Sequence, residues 1–326
     1  MGADGWATAL AATTLAAAVL TLWIGRAARR RAARVDAAYP PIGRIVDVGG
    51  VPVHALVRGT GPDLVLIHGA SGNLRDFLPL MDRLEGRYRT IALDRPGLGH
   101  SGRPDPRHDG AFSGTAESLR DQVRLLSGAA RALGAERPLV LGHSYGGAVA
   151  LAWAIEAPAA GIVDLSGVAM PWPGGLGWRY RVMRSRLGGA IVPLLVAAGA
   201  TRAMMAAGVA SVLAPNPVPE GYAETVGAEL ILAPRRWRAN GRQLNALRPQ
   251  VARMAEDYAA LTLPIEIVHG RQDSTVPIEI HSIPLAARVA SANLTVLEGA
   301  GHAPHHSHPD AVIAAIDRLA ARAGLR

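Results

Sequence analysis

The clearest chemical signal in the sequence is a serine between two glycines, at the end of a predicted buried strand. Residues 142–146 are Gly-His-Ser-Tyr-Gly, with the apolar run 139–141 before them and an apolar helical stretch after them. This is the G-x-S-x-G pattern in its strand–turn–helix context. Glycines at both ends leave room where a Cβ would collide in so tight a turn. The pattern predicts that the Ser144 hydroxyl is exposed near a helix N-terminus, whose partial positive charge favours an oxyanion.

A nucleophilic serine needs a base that accepts its proton and a carboxylate that orients the base. Asp273 follows the predicted strand 265–268, and His302 follows the predicted strand 294–297. Because parallel strands present their following loops at one edge of a sheet, we expect Ser144, Asp273 and His302 to meet there. Their order along the chain, Ser, Asp, His, is the order expected for this architecture.

A tetrahedral oxyanion needs two N–H donors. We expect one from the backbone of Tyr145, which directly follows the serine. The other is expected from Ala70, in the His-Gly-Ala segment that follows the predicted strand 64–67, where Gly69 permits a close turn.

The composition excludes several other chemistries. The chain has 326 residues and a formal net charge of +8, and all 34 of its Lys and Arg residues are arginine. The absence of lysine excludes Schiff-base chemistry and a Ser-Lys dyad. The chain has no cysteine, which excludes thiol nucleophiles, disulfides and Cys-ligated metals.

Strand-like runs alternate with helical patterns along most of the chain, which predicts an α/β fold with a mostly parallel sheet covered on both faces. The predicted strands are 44–48, 53–57, 64–67, 89–93, 139–141, 162–165, 265–268 and 294–297. Residues 171–262 lack such runs and are too many for a loop. We therefore predict a helical insertion there, a lid over the carboxyl ends of the strands, where α/β sheets bind ligands.

The N-terminal segment has the character of a membrane anchor. Residues 6–24 carry no charge and would span about 28 Å as a helix, close to the thickness of a bilayer's hydrocarbon core. Trp6 and Trp23 stand where interfacial anchors belong. We predict a transmembrane anchor over 1–25; the alternative is an alanine-rich soluble helix.

An arginine-rich stretch follows the apolar run, and we predict a juxtamembrane linker over 26–40, before a hydrolase domain over 41–326. By the positive-inside rule this domain lies on the cytoplasmic side. No aromatic residues are interleaved with these arginines, so we expect no nucleic-acid partner. A second arginine group in the lid is either a solvated face or a contact with anionic lipid. Its members are Arg179, Arg181, Arg184 and Arg186.

Five short segments together resemble the α/β-hydrolase fold superfamily, and the resemblance covers about 41–326, least well in the lid. The segments are 68–70, 94–101, 142–147, 269–273 and 301–302. The resemblance implies an eight-stranded sheet and a helical cap after the sixth strand. Within the superfamily it is similar to the lipase/esterase, haloperoxidase-like and carbon–carbon bond hydrolase branches.

The same resemblance implies a role for each predicted site residue. Ser144 is the nucleophile, Asp273 the acid and His302 the base, with Ala70 and Tyr145 as oxyanion donors. It implies an ester of a hydrophobic small molecule as substrate, cleaved without a cofactor. A carbon–carbon bond hydrolase and a non-catalytic membrane-tethered protein are the alternatives. Epoxide hydrolases and haloalkane dehalogenases of the superfamily have aspartate as nucleophile, so Ser144 argues against them.

Other polar residues compete for these roles. Some members of the superfamily place the acid after the sixth strand, which makes Asp164 an alternative to Asp273, whereas Asp94 in its Pro/Gly-rich turn is interpreted as structural. Histidines near the C-terminus lack a matching set of carboxylates, so we predict no metal site, and we expect His305 and His306 in solvent. These histidines are His302, His305, His306 and His308.

Overall fold

The computed structural model describes residues 3–326, with the side chains of residues 3, 5 and 179 left out. Eight strands form one sheet in the order β1-β2-β4-β3-β5-β6-β7-β8. The first two strands run antiparallel to their neighbours and the others are parallel. The strands are β1 (Arg44–Val48), β2 (Val51–Arg58), β3 (Asp63–Ile67), β4 (Arg89–Leu93), β5 (Leu139–His143), β6 (Gly161–Leu165), β7 (Ile265–Gly270) and β8 (Ala292–Leu297). The predicted fold class and all eight predicted strands are confirmed.

Helices surround the sheet and precede it. They are α1 (Ala3–Ala38), α2 (Leu78–Leu84), α3 (Leu119–Ala132), α4 (Tyr145–Glu156), α5 (Trp178–Arg184), α6 (Arg186–Gly199), α7 (Arg202–Leu213), α8 (Tyr222–Thr225), α9 (Pro234–Met254), α10 (Ser282–Arg288), α11 (Pro304–Ser307) and α12 (Pro309–Arg322).

Both faces of the sheet are covered, because alternate residues of each central strand point to opposite sides. Val65 and Val140 face an apolar cluster that includes α3 and α4. Leu64 and Leu139 face a second cluster, which includes α2 and α12. Burial on both faces explains why these strands are short continuous apolar runs in the sequence.

The interval between β6 and β7 forms a helical cap, α5 to α9, with no strand among its described residues. Its longest helix, α9, lies against the loops at the carboxyl edge of the sheet. Asn240 of α9 bonds Ser71 in the loop after β3, and Gln243 donates to the carbonyl oxygen of Pro96 after β4. The cap is therefore attached directly to the edge where the predicted site residues lie.

Helix α1 continues without a break through residues 26–38, most of the segment predicted as a juxtamembrane linker. Alanine and arginine both favour helix, and no proline interrupts the chain before Pro40. Ala28 and Val35 are buried against the rest of the molecule. Arg31 Nη2 donates to the carbonyl oxygen of Ala200 (2.9 Å) at the corner between α6 and α7. The arginine-rich half of α1 is thus part of the folded structure.

The apolar half of α1 has the length and composition of a membrane-crossing helix, and none of its most apolar stretch is buried. A signal sequence at the N-terminus shares these properties. The anchor and its orientation therefore stay predictions.

A buried carboxylate in β7 gives a test of how α12 is held on the sheet. Glu266 accepts hydrogen bonds from Arg322 (2.7 Å) and Arg318 (3.1 Å), and Asn293 also donates to it. We expect Glu266→Ala to lower the free energy of unfolding by about 1.5–3 kcal/mol, because two partly exposed arginines and Asn293 lose their common acceptor. Arg318→Ala, at the half-exposed end, should cost less than about 1 kcal/mol. Denaturant unfolding measures both, and equal losses would contradict the central role of Glu266.

Candidate active site

Ser144 lies at a strained turn between β5 and α4, with φ 57° and ψ −117°. A left-handed conformation at a non-glycine residue costs of order 1–3 kcal/mol and persists only where its surroundings enforce it. Two flanking glycines provide the space: a Cβ at Gly142 would overlap the carbonyl oxygen of Gly146, and a Cβ at Gly146 would overlap that of Ile67. We call this turn, residues 142–146, the elbow. It holds Ser144 at its tip, at the start of α4.

Asp273 and His302 form the hydrogen-bonded pair that the sequence predicts. Each follows its strand, β7 or β8, and His302 Nδ1 lies 2.7 Å from Asp273 Oδ2. The other carboxylate oxygen, Oδ1, accepts from the backbone N–H groups of Thr275 (2.8 Å) and Val276 (2.9 Å). With its carboxylate fixed by the backbone, Asp273 determines how the imidazole of His302 is oriented.

The surroundings of Asp273 keep it ionised. Burial would raise its pKa, but hydrogen bonds from His269 and His302 and the nearby backbone N–H groups outweigh burial and lower the pKa below the ordinary value. His269 Nε2 lies 3.1 Å from Oδ2, a contact that sequence reasoning missed because His269 looks like an ordinary strand residue. An ionised carboxylate here stabilises positive charge on the His302 ring.

The elbow and the histidine loop are joined through the residue before the serine. His143 Nε2 donates to the carbonyl oxygen of His302 (2.8 Å), and the two rings lie 4.9 Å apart. His143 therefore ties the backbone of His302 to the elbow that carries Ser144. Within the described residues the Ser144 hydroxyl makes no hydrogen bond to His302.

The loop after β3 approaches the serine closely. A Cβ at Gly69 would lie 3.1 Å from the Cβ of Ser144. Ser71, with φ 60°, is held by Asn240 of the cap through two hydrogen bonds. The backbone N–H groups of Ala70 and Tyr145 donate no hydrogen bond within the part of the chain described. Both amides are therefore available to an incoming oxygen.

The alternative acid, Asp164, is not the partner of His302. It is fully buried, and neither of its carboxylate oxygens has a hydrogen-bond partner among the described residues. Burial raises its pKa to about 7. Asp94 accepts hydrogen bonds from His54 Nδ1 (2.7 Å) and from the backbone of Leu74 and His100, which fits a structural role in its turn.

The expectation that His305 and His306 lie in solvent was wrong. His305 is 2% exposed, and both rings bond Asp76, His305 at 3.2 Å and His306 at 2.9 Å. Asp76 is distant in the sequence, so spacing gave no signal of this contact. Ligand atoms of Asp76, His143 and His305 lie within 4.8 Å of one another, close enough to hold a metal ion. Each oxygen of the Asp76 carboxylate already has a hydrogen-bond partner, Oδ2 in His305 and Oδ1 in His306.

The elbow gives a direct test of its glycines. Gly146→Ala should lower the free energy of unfolding by more than about 2 kcal/mol, since its Cβ overlaps the Ile67 carbonyl and the backbone must shift. Gly208→Ala in α7 has open space around it and should be neutral or stabilising. Thermal unfolding compares the two variants; equal midpoints would contradict the close packing of the elbow against β3.

Buried neutral histidines make stability depend on pH. Burial lowers the pKa of His68, His281 and His305 to about 4 each. Their stabilising effect is complete above the unfolded pKa of 6.5 and is lost as the pH falls toward 4, since only the unfolded chain then binds the protons. Each histidine contributes a slope of about 1.4 kcal/mol per pH unit in this window. The free energy of unfolding, measured at pH 7, 6 and 5, should decline as the pH falls, and the decline should be shallower in His281→Gln. A free energy that does not change with pH would contradict the neutral state of these histidines.

Comparison with known proteins finds relatives that align with most of the chain. The chain is similar to 2-hydroxymuconate semialdehyde hydrolase of Pseudomonas sp. (strain CF600), 28% identical over 81% of this chain and 88% of that protein. It is also similar to pimeloyl-[acyl-carrier protein] methyl ester esterase of Aeromonas hydrophila, 29% identical over 80% of this chain and 96% of that protein.

A solved structure, a thermophilic esterase from Thermogutta terrifontis, has the same fold. It aligns with a TM-score of 0.68 at 20% identity, over 86% of this chain and 99% of that one. The sequence model of the alpha/beta hydrolase family matches residues 64–315. These residues include the elbow, the loops that carry Asp273 and His302, and the cap. This chain belongs to the alpha/beta hydrolase family.

Proposed function

We propose that the protein is a serine hydrolase that cleaves a carboxylic ester of a hydrophobic small molecule through an acyl-enzyme. The observation that carries this proposal is the hydrogen bond between His302 Nδ1 and Asp273 (2.7 Å), in a loop that His143 fastens to the elbow of Ser144. A base with a fixed tautomer is thus joined, through His143, to the strained turn that holds the serine.

The proposed reaction begins when Ser144 Oγ attacks the ester carbonyl carbon and His302 Nε2 accepts its proton. Asp273 accepts a hydrogen bond from the N–H of the other ring nitrogen, Nδ1, and stabilises the imidazolium. The negative oxygen of the tetrahedral intermediate accepts hydrogen bonds from the Ala70 and Tyr145 amides. The C–O bond then breaks, the alcohol leaves with the proton of His302, and water repeats the sequence on the acyl-enzyme.

The similarity to a methyl ester esterase supports ester chemistry. Ser144 also supports it over dehalogenation, because the dehalogenases of the superfamily use aspartate at the nucleophile position.

A second candidate is hydrolysis of a carbon–carbon bond beside a ketone on the same three residues. The similarity to 2-hydroxymuconate semialdehyde hydrolase over most of both chains favours it. Product analysis separates the two reactions. Ester cleavage releases an alcohol and an acid, whereas cleavage of the carbon–carbon bond releases an acid and a fragment that has a C–H bond where the broken bond was.

The proposed location is a membrane, with α1 as a single-pass anchor and the hydrolase domain on the cytoplasmic side. The uncharged stretch before Arg26 and the arginines after it support this orientation. A tethered protein without turnover is the remaining alternative.

Ser144→Ala should abolish hydrolysis of a short-chain aryl ester and labelling by a fluorophosphonate probe, because no other group described at the elbow can form the acyl-enzyme. The fold should survive, since only a hydroxyl without a hydrogen bond is removed. Ser211→Ala, at an exposed serine of α7, is the matched control and should label fully.

Loss of the nucleophile typically costs far more than the 10²–10³ lost with one oxyanion donor. Residual Ser144→Ala activity above about a tenth of the parent value would refute the nucleophile assignment. Absence of labelling in the parent chain would favour the non-catalytic alternative.

A further inference from the structure

Exposed large apolar side chains are concentrated in two places. Of the nineteen among the described residues, seven lie in α1 and seven in α5 to α7. We call the second group the cap face: Trp178, Val182, Leu187, Ile191, Leu195, Met204 and Val212. Exposed apolar side chains grouped on three consecutive helices indicate an interaction site.

The helices of the cap face cannot cross a bilayer one at a time. Helix α6 has 14 residues and α7 has 12, or about 21 and 18 Å, shorter than the hydrocarbon core. The two are nonetheless apolar enough together to resemble a membrane segment, and they are bent by 109°. Short apolar helices with an exposed face fit a position in the membrane interface.

The cap face is fixed at the end of the apolar half of α1. Burial of α1 begins at Ile24 and continues through Ala28 and Val35. Arg31 holds the corner between α6 and α7 by its bond to Ala200. Seven residues separate Ile24 from Arg31, or about 10 Å along the helix, slightly more than the roughly 5–8 Å of one headgroup layer. If residues 6–24 span the core, this corner lies at the outer side of the headgroups, and the apolar helices that meet there lie at the membrane surface.

The charge around the cap face suits anionic lipid. No acidic residue occurs from 165 to 219, and the exposed arginines of this interval are Arg181, Arg184, Arg186 and Arg202. Four further exposed arginines lie on α1, namely Arg26, Arg29, Arg30 and Arg34. Each arginine near an anionic leaflet adds roughly 1 kcal/mol of attraction.

The cap face is connected to the active site through one layer of helix. Arg238 of α9 donates to the carbonyl oxygen of Gly189 in α6 (2.9 Å). Two residues further along α9, Asn240 holds Ser71, next to the proposed oxyanion donor Ala70. A lipid surface against α6 therefore lies behind the helix that covers the site.

We infer that the cap face inserts into the same bilayer leaflet that α1 leaves, and that the enzyme takes its ester from that leaflet. The second part rests on the proposed function. The occupant of the cap face is the lipid interface, with apolar side chains among the upper acyl chains and arginines at the phosphates.

The absence of cysteine allows a direct test of depth. The full chain, carrying Leu195→Cys or Met204→Cys labelled with an environment-sensitive fluorophore, is placed in nanodiscs containing phosphatidylglycerol. Phe112→Cys and Ile283→Cys, at exposed apolar residues outside the cap face, are matched controls. Emission from 195 and 204 should shift to the blue and be quenched by lipid spin-labelled near the top of the acyl chain, and emission from 112 and 283 should do neither.

Two results would overturn the inference. Emission at 195 and 204 that matches the controls would show that the cap face is in water. A blue shift without quenching by spin-labelled lipid would show that protein, such as a second copy of the chain, covers it.

The source of the substrate is tested by Leu195→Glu. We expect KM for a long-chain ester dissolved in the bilayer to rise about tenfold, the equivalent of losing one buried apolar side chain, with no change for a water-soluble short-chain ester. Phe112→Glu should change neither. An unchanged KM for the bilayer ester, or equal changes for both esters, would refute entry from the leaflet. Failure of the proposed function is distinguishable, because the parent chain would then hydrolyse neither ester.

Discussion

The arrangement of the site depends on the carboxylate of Asp273. One of its oxygens is held by two backbone N–H groups and the other faces His302 and His269, so the carboxylate has no freedom to turn. The position of His302 follows from it, since the imidazole can form this bond in one orientation only. The remaining site elements are placed by the parallel sheet, which brings the loops after β3, β5, β7 and β8 to one edge.

Much of this could be predicted from sequence because the signals were local. Short apolar runs identified the buried strands, and glycines around Ser144 identified the turn. Contacts made across long separations carried no such signal: His305 and His306 bond Asp76, more than 200 residues earlier. The packing of α1 after residue 25 carried no signal for a related reason, because the burial of Ala28 and Val35 depends on the surface of the cap, which periodicity in α1 alone does not show.

The site also contains buried charge that the proposed reaction does not use directly. Asp76 joins the segment after His302 to the loop after β3, and its pKa lies well below the ordinary value, because hydrogen bonds and charge from His305 and His306 outweigh the effect of burial. Asp164 has the opposite environment: burial without a partner raises its pKa to about 7. Two carboxylates near one elbow thus have pKa values shifted in opposite directions, because only one has donors around it.

The unbroken course of α1 couples its apolar half to the cap by rotation as well as by distance. A helix turns about 100° and advances 1.5 Å for each residue. One residue inserted between Trp23 and Ala28 would therefore rotate Trp6 and its neighbours by about 100° around the helix axis. The packed half, with Val35 and Arg31, would keep its contacts. The rotation of the hydrolase domain about the axis of α1, relative to the apolar half of that helix, is consequently determined by the number of residues between the two halves.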